Sequence, residues 1–541
     1  MKFLRVLSVV ALVALIATGA YAETQNVKVS GDLAIRGFWR DNYGAGNSFA
    51  SQNEQSAAYL YPNGAAVPAD ERIGIDRPNS QWFMSTTELQ IDADLTDNVS
   101  TCIRLLNQRD WNVARSTEYT QTAHGQMSTI GSGGFGHSPS YVENPNEFAV
   151  DLELAYLTLK NFIYSPLTVS IGRQNLWFGK GFIVGANQRV NYASNYGNMA
   201  FGGLVNPYAS VGPISAPEYT ALNAFDSVKA VLDFDPWTLT GIYSKIWGNS
   251  IQADDGVDLW GANVGYKFDA YKGEAEGYWF YKRDMQVKAY NWDRSVGAND
   301  VNTIGLRGSF DPIDIVTLYG EFAGQFGSYV ANPMQGNNRG RVAGALDVGG
   351  EFRYFTDKWA WKPKMGVEFI WYSGNNPEDE GGHSSGQYHG WDPMFRGKSD
   401  SLIREFIGRY YYSAAYPFDP TRYYNSPDAS FQNQMQLIFS GSLQPMDSLK
   451  LTGNLNMFWN QYAYLASLGK SKGYVGTEVD LGATWDYTED VSFNLVMGFF
   501  APGGVYNISD NGAFAATHPA VNTSTSRKVA TDVVASVKVS F

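Results

Sequence analysis

Apolar and polar residues alternate along most of this chain, most clearly at its C-terminal end. From Val533 to Phe541 every second residue is apolar, and the positions between them include Lys538 and Ser540. A β-strand points successive side chains to opposite faces, so such a segment has one apolar and one polar face. The same alternation predicts strands near 27–40, 81–95, 99–109, 149–160, 166–175, 224–234, 237–247, 257–268, 273–284, 301–310, 315–327, 344–355, 361–373, 430–444, 449–461, 473–486, 491–500 and 529–541.

The connections between the predicted strands are of two kinds that alternate strictly along the chain. Eight are tight and rich in turn-forming residues, as at 96–98, 235–236, 311–314, 445–448 and 487–490. The other nine are long or polar, the largest being 41–80, 110–148, 176–223, 374–429 and 501–528. Short periplasmic turns opposite long extracellular loops are typical of an outer-membrane barrel. We therefore predict an all-β fold, a transmembrane antiparallel β-barrel of about 18 strands that encloses a water-filled channel.

The apolar faces of the predicted strands are almost free of charge. In the second strand Leu89 and Ile91 point one way, whereas Glu88 and Asp92 point the other. Aromatic residues cluster near strand ends, as at Trp237, 278–281 and 371–372. Rings at the level of the lipid headgroups would produce these clusters. The alternative is the general preference of Tyr, Trp and Phe for sheets.

Arg173 breaks the pattern because it follows Leu167, Val169 and Ile171 in the same phase. A charge at the middle of the bilayer would cost about 2–4 kcal/mol. We expect a β-bulge at Gly172 to reverse the phase; the alternative is that Arg173 lies above the hydrocarbon layer.

The N-terminal end carries a predicted export signal. Lys2 and Arg5 precede the apolar run 6–17, and Ala20-Tyr21-Ala22 supplies small residues for cleavage. We expect residues 1–22 to be a cleaved Sec-type signal peptide and residues 23–541 to form one barrel domain in a Gram-negative outer membrane. The remaining chain has no run of roughly 18 apolar residues that could form a membrane-spanning helix.

Composition narrows the function classes further. Removal of residues 1–22 leaves 38 basic against 53 acidic residues, a formal charge of −15, which disfavours a nucleic-acid partner. Cys102 is the single cysteine, so no disulfide can form within the chain. Lipid and small hydrophilic solutes or oligosaccharides are the expected partners, and no cofactor is expected.

Several segments resemble the alginate export family of outer-membrane porins. The resemblance is carried by residues 81–109, by Ala155 to Asn161, by Ile171-Gly172-Arg173-Gln174-Asn175 with the following 178–185, and by 362–376 with 391–395. It implies a monomeric barrel of 18 strands and export of an acidic polysaccharide through an arginine-rich pore. A pathway for a polyanion should show a clear basic excess. The inward phase instead mixes basic residues such as Arg36, Lys229, Lys267 and Lys364 with acidic ones such as Asp32, Asp233, Glu274, Glu276 and Glu368.

Candidate sites follow from the inward phase and from the loop after Arg173. Arg173 and Gln174, followed by Lys180 and Arg189, are predicted to form a constriction or solute contact in an infolded loop. The alternative is that Arg173 braces the wall by pairing with a carboxylate such as Glu153. The predicted pore-lining residues are Arg36, Arg40, Arg104, Arg173, Gln174, Lys180, Arg189, Arg307, Arg353, Glu88, Asp92, Glu321 and Glu351. Arg36, Arg104, Arg307 and Arg353 form either a track for anions or half of an ordinary mixed-sign lining.

Rival functions fit the residues less well. All five histidines fall in predicted loops, so a serine hydrolase on the barrel wall lacks its base. The acidic stretch 375–380 lacks the ligand spacing of a calcium loop. We predict a non-enzymatic porin for passive diffusion of small hydrophilic solutes, anionic or sugar-like ones included. The alternatives are export of an acidic polysaccharide and a barrel sheath around a separate electron-transfer cytochrome.

Overall fold

The computed structural model describes residues 26–41, 79–111, 119–121, 127–129, 150–187, 216–247, 256–285, 298–332, 337–353, 359–375, 386–406, 432–462, 473–503 and 529–541. The predicted signal peptide and residue Arg189 lie outside these ranges. The strands are β1 (Asn26–Asp41), β2 (Asn79–Thr96), β3 (Val99–Asp110), β4 (Tyr119–Gln121), β5 (Met127–Thr129), β6 (Asp151–Leu159), β7 (Leu167–Gln174), β8 (Phe225–Asp233), β9 (Trp237–Trp247), β10 (Val257–Phe268), β11 (Gly273–Asp284), β12 (Asn299–Ile313), β13 (Val316–Asn332), β14 (Asn337–Phe352), β15 (Lys364–Tyr372), β16 (Gln434–Met446), β17 (Leu449–Asn460), β18 (Tyr474–Asp486), β19 (Val491–Pro502) and β20 (Ala530–Ser540).

Helical structure within the described ranges is confined to three single turns, Pro217–Tyr219, Ala270–Lys272 and Arg404–Phe406. None of the helices in this part of the chain has the length and apolar character needed to cross a membrane.

Eighteen of the strands form one antiparallel sheet that closes on itself. β1 pairs with β2 on one side and with β20 on the other, so that Asp32 lies opposite Ser540 and Arg40 opposite Asp532. β4 and β5 form a separate two-stranded sheet in the connection between β3 and β6. Closure removes both sheet edges, so that every strand of the barrel has a hydrogen-bonded neighbour on each side. The predicted barrel fold is confirmed.

The connections alternate in length around the barrel except at β14, where only residues 333–336 follow β13 at the long-loop end and residues 353–363 precede β15 at the short-turn end. The predicted strict alternation is wrong there, because β13 and β14 extend further toward the long-loop end than the sequence pattern indicates. Two-residue turns join β2 to β3, β12 to β13 and β16 to β17, and the other short connections apart from 333–336 lie at the same end. The first residue of β1 and the last residue of β20 also lie at this short-turn end, whereas the long connections leave from the opposite, long-loop end.

The two faces of the sheet have the polarity that the sequence predicts. Val29, Leu306 and Phe322 point outward and are more than half exposed. Asn456 and Glu478 point inward and are fully buried. Because no element within the described ranges covers the outer face, its large apolar side chains need a lipid surrounding.

Outward aromatic side chains lie near both ends of the strands. Trp485 stacks on Phe493 near the short turns, with ring centroids 5.6 Å apart. Tyr243, Trp260 and Tyr281 form a contiguous row toward the long loops, with centroids 5.5 Å and 5.3 Å apart. These positions fit rings at the two lipid interfaces.

Arg173 lies on the outer face, and the prediction of a bulge at Gly172 is wrong. Cross-strand pairing runs without a register shift from Ile171 through Gly172 to Arg173 on both sides of β7. The bulge lies instead on β6, where the register against β3 skips Glu153. Arg173 therefore keeps the outward phase of Ile171, which is the alternative that the sequence left open.

Arg173 is the first member of a row of alternating charges across the outer face of six strands. Successive cross-strand partners in this row are Arg173, Asp226, Lys245, Asp258, Arg283 and Asp300. Ion-pair distances are 3.2 Å for Arg173 with Asp226 and 3.0 Å for Lys245 with Asp258. The row lies just beyond Tyr243, Trp260 and Tyr281 toward the long loops, where headgroups and water can solvate it.

A matched pair of substitutions tests the assignment of faces. Leu455 faces outward near the middle of β17, and its neighbour Asn454 faces the lumen. Leu455→Arg should lower the free energy of unfolding by about 2–4 kcal/mol, because the guanidinium enters hydrocarbon. Asn454→Arg should cost much less, because its guanidinium reaches water. Urea unfolding in lipid vesicles, followed by tryptophan fluorescence, measures both; equal losses would contradict the face assignment.

Candidate functional site in the barrel lumen

Two segments from the long-loop end fold into the lumen. The first infolded segment, 175–187, follows β7, and the second, 386–406, follows β15. Phe182 and Val184 of the first and Trp391 and Phe395 of the second are almost completely buried against the inner wall. Together they form an apolar layer across one side of the barrel.

Backbone hydrogen bonds join the two segments to each other. The Gly185 N–H donates to the Phe395 carbonyl at 2.8 Å, and the Phe395 N–H donates to the Ile183 carbonyl at 2.9 Å. The Gly397 N–H donates to the Gly181 carbonyl at 2.9 Å. The segments therefore satisfy each other's buried backbone groups, as paired strands would.

Glycines permit this close approach. Gly179 and Gly181 have φ values of +53° and +75°, in the left-handed region that favours glycine. A Cβ added to Gly397 would lie 2.7 Å from backbone atoms of Gly185, closer than real contacts allow. This glycine pattern explains why the run 178–185, which carries the family resemblance, adopts a fixed loop.

Aromatic packing holds the segments on the wall. Phe182 stacks on Tyr372, with centroids 5.7 Å apart, and Phe395 meets Phe225 edge to face at 5.6 Å. Phe178 packs edge to face on Phe280 at 5.1 Å. Phe280 and Tyr372 thus belong to the lumen, although the sequence pattern had grouped them with the interfacial aromatics.

Lys398 and Arg396 anchor the second infolded segment electrostatically. Lys398 Nζ lies 2.9 Å from an Asp347 carboxylate oxygen and also pairs with Glu368 on the wall. Arg396 bonds Asp400 at 2.5 Å. Burial alone would lower the pKa of Lys398, but Asp400, Asp347 and Glu368 raise it well above its ordinary value. Lys398 therefore stays charged.

Asp392 ties the same segment to two further wall strands. It pairs with Lys282 of β11 and lies 4.0 Å from Arg341 of β14. Burial favours its neutral form, but Lys282 and Arg341 outweigh burial, and the pKa of Asp392 is lowered. Arg341 also donates to the Gly390 carbonyl at 2.7 Å.

Glu478 of β18 binds the C-terminal end of the second infolded segment. Its carboxylate accepts hydrogen bonds from the backbone N–H groups of Leu402, Ile403 and Arg404, each at 2.7 Å. Burial and the nearby Asp400 raise the pKa of Glu405, in the same turn, to about 7, against the opposing effect of Arg396.

The predicted arginines of the inner wall are paired with acceptors. Arg40 bonds Asp532 at 3.1 Å and also pairs with Glu218. Arg104 bonds Gln90 at 2.8 Å and has Glu88 and Glu153 within 3.6 Å. Arg307 bonds Glu274 and Glu276, and Arg353 bonds Asp311 at 3.1 Å and has Glu351 at 3.7 Å.

Arg36 is the exception among them, since it bonds the neutral Thr86 at 2.9 Å and lies over the ring of Tyr219. Asp92 accepts a hydrogen bond from Gln90 at 2.7 Å, and the buried Glu321 accepts one from Tyr278 at 2.7 Å. Among the predicted arginines of the inner wall, Arg40, Arg104, Arg307 and Arg353 therefore have carboxylate partners, whereas Arg36 has neutral ones.

The residues predicted to form the constriction lie in three different places: the lumen, the barrel wall and the outer face. Lys180 enters the lumen, and its ammonium lies over the ring of Tyr319; burial lowers its pKa, against the opposing effect of Glu368. Gln174 is buried in the wall, where its amide donates to the Ser170 and Ser227 carbonyls. The lumen role predicted for Arg173 is wrong, because its partner Asp226 lies on the outer face.

Sequence reasoning missed Arg396, Lys398 and the second infolded segment. A signal was present in the wall itself. Ile242, Leu259 and Phe280 lie in the inward phase but are apolar, and they are buried. Strands with apolar residues on both faces need a covering element inside the barrel.

Two lumen cavities remain beside the infolded segments. One of about 460 Å³ is lined by Glu218, Asp400 and Asp480 together with serine and threonine side chains. The other, of about 320 Å³, lies under the first segment against β8–β11. Within the described ranges, His, Cys, Asp and Glu form no group suited to a metal ion. The acidic stretch 376–380 lies outside those ranges.

Comparison with known proteins identifies the family. The family model described as "Alginate export" matches residues 69–514. The chain belongs to the alginate export family. Among solved structures, OccAB2 of Acinetobacter baumannii is 8% identical, with a TM-score of 0.49 and coverage of 96% of this chain and 99% of that one. A BenF-like porin of Pseudomonas fluorescens Pf-5 is 10% identical, with a TM-score of 0.46 and the same coverages. No curated protein matches the chain significantly.

As a member of the alginate export family, the chain is an outer-membrane channel protein. The short turns of its barrel accordingly face the periplasm and the long loops face outward. The two cavities lie toward the periplasmic half, because Thr238, Lys267 and Thr484 are close to short turns.

Widening the contact between the infolded segments should open the lumen. Gly397→Val places two methyl groups against the backbone of Gly185, so we expect higher single-channel conductance and more current noise in planar bilayers. Gly324→Val is the matched control, because a Cβ there meets nothing within 4 Å. Conductance of Gly397→Val equal to that of the control would show that the segments do not limit flow.

Proposed function

We propose that this barrel is a passive porin for small hydrophilic solutes, including anionic and sugar-like ones. Solutes cross by diffusion through the water beside the infolded segments, and no covalent chemistry is involved. Selectivity arises from the bore and from the charges that line it.

The apolar layer inside the barrel supports a narrow channel. An 18-stranded barrel encloses an aqueous bore, but Phe182, Trp391 and Phe395 occupy one side of it. Their packing leaves the polar cavities on the β8–β11 and β16–β19 sides. The same packing argues against a sheath around a separate cytochrome, which would need that space.

Charge pairing supports weak ion selectivity. Arg40, Arg104 and Arg307 each have carboxylates within 4 Å, so the wall shows no long track of uncompensated cations among the described residues. A channel that concentrates one sign of ion needs such an excess.

Export of an acidic polysaccharide is the second candidate, and the description of the family model favours it. This function requires a wide, strongly basic bore that can hold an extended polyanion. The paired arginines and the two infolded segments support the porin instead.

Planar-bilayer recording separates the two candidates. For the porin we expect a reversal potential near zero in a KCl gradient and no block by oligouronates at micromolar concentration. Strong anion selectivity with micromolar block by oligouronates would contradict the porin and support export. An absorbance spectrum of the same purified sample should lack a haem band, since a Soret band would support the sheath.

A further inference from the structure

The smaller lumen cavity contains cations without a protein partner. It has a volume of about 320 Å³ and lies between Trp177 to Gly179 and the inner faces of β8–β11. Lys229 and Lys267 line it from the wall, together with Thr240 and Asn263, and so do the carboxylates Glu274 and Glu276.

Nearby carboxylates are committed to another cation. Lys267 lies opposite Glu274 across the β10–β11 pair, yet Glu274 bonds Arg307 at 2.5 Å. Glu276 also bonds Arg307 and accepts a hydrogen bond from Asn263 at 3.0 Å. In the described part of the chain, neither Lys229 nor Lys267 makes a side-chain ion pair or hydrogen bond.

This arrangement contrasts with Lys282 and Lys398 elsewhere in the lumen, each of which pairs with at least one carboxylate. Lys229 is half-buried, whereas Lys267 is exposed. A half-buried ammonium without a counter-charge costs solvation energy, and an anion bound beside Lys229 would reduce that cost. The cavity is therefore electrostatically suited to a small anion.

Trp177 adds a flat apolar surface. Its indole N–H donates to the Gly179 carbonyl at 3.0 Å, which fixes the ring. One edge of the ring lies against Gly181, Gly185 and Gly397. The side chain is still 56% exposed, although the apolar residues around it are buried. An exposed aromatic ring at a polar cavity is a stacking platform for a ring-shaped ligand.

We infer that this cavity is a binding subsite for a small monocyclic carboxylate. The carboxylate binds between Lys229 and Lys267, and the ring of the ligand lies against Trp177. Thr240 forms a hydrogen bond with a ring hydroxyl where the ligand has one. The inference rests on the proposed porin function and gives it a preferred solute class. Sugar acids and aromatic acids share the required chemistry, and size limits occupancy to about one ring.

Direct binding measured in detergent tests the subsite without requiring conduction. Isothermal titration calorimetry would use glucuronate, benzoate and neutral glucose as probes. The variant is Lys229→Met with Lys267→Met, which keeps side-chain length and removes both charges. Lys450→Met is the matched control, because Lys450 lies in the inward phase of β17 away from the cavity. Trp177→Leu is a second variant, should the lysine variant fail to fold.

The subsite predicts saturable binding of at least one acid by the natural protein and none of glucose. Binding should weaken by about tenfold or more in the double lysine variant and in Trp177→Leu, but not in Lys450→Met. Preference for glucuronate would identify a sugar acid, and preference for benzoate an aromatic acid.

Absence of acid binding, or equal binding by the double lysine variant, would overturn the subsite. KCl conductance of the same preparations separates this failure from failure of the channel itself. Normal conductance without acid binding overturns only the subsite, whereas absent conductance overturns the porin.

Discussion

Every feature of this molecule depends on the pairing of its backbone in a medium without water. Hydrocarbon cannot accept or donate hydrogen bonds, so a sheet that crosses it has to close. β1 achieves closure by pairing with β20 from Asp32 opposite Ser540 to Asp41 opposite Thr531. Closure fixes which residues face lipid and which face the lumen, and one shifted residue would exchange the two sets.

The lumen adds a second requirement, which the wall alone does not meet. On the side of β8–β16 the inner face is apolar in its long-loop half, through residues such as Phe225, Ile242 and Leu259. Phe182 and Phe395 of the infolded segments cover it, and Lys398 attaches the cover to wall carboxylates. The apolar contacts supply most of the stabilisation, because buried ion pairs roughly balance their desolvation. The salt bridges instead fix the position of the segments in the bore.

The sequence predicted the barrel well and the lumen less well. Strand positions and turn alternation follow from local patterns, because each lipid-facing residue has the same solvent requirement wherever it lies. The β6 bulge at Glu153 was missed, since nothing local distinguishes it from regular strand. Arg173 was assigned to the lumen because a bulge at Gly172 was expected to reverse its phase. Its outward partner, Asp226, lies 53 residues away in the chain, so no local pattern indicated the ion pair. Lys229 and Lys267 were placed inward correctly, but their lack of partners depends on where Arg307 directs Glu274 and Glu276.

The central claim is a closed, wet cylinder that its own segments narrow, and sizing the bore with neutral polymers tests it most directly. Single-channel conductance is recorded in planar bilayers with polyethylene glycols of increasing size. The account predicts that small polymers enter and lower the conductance, and that exclusion begins at a size well below the full width of an 18-stranded barrel. Entry of polymers that fill an unobstructed barrel, or the absence of any conductance, would contradict it.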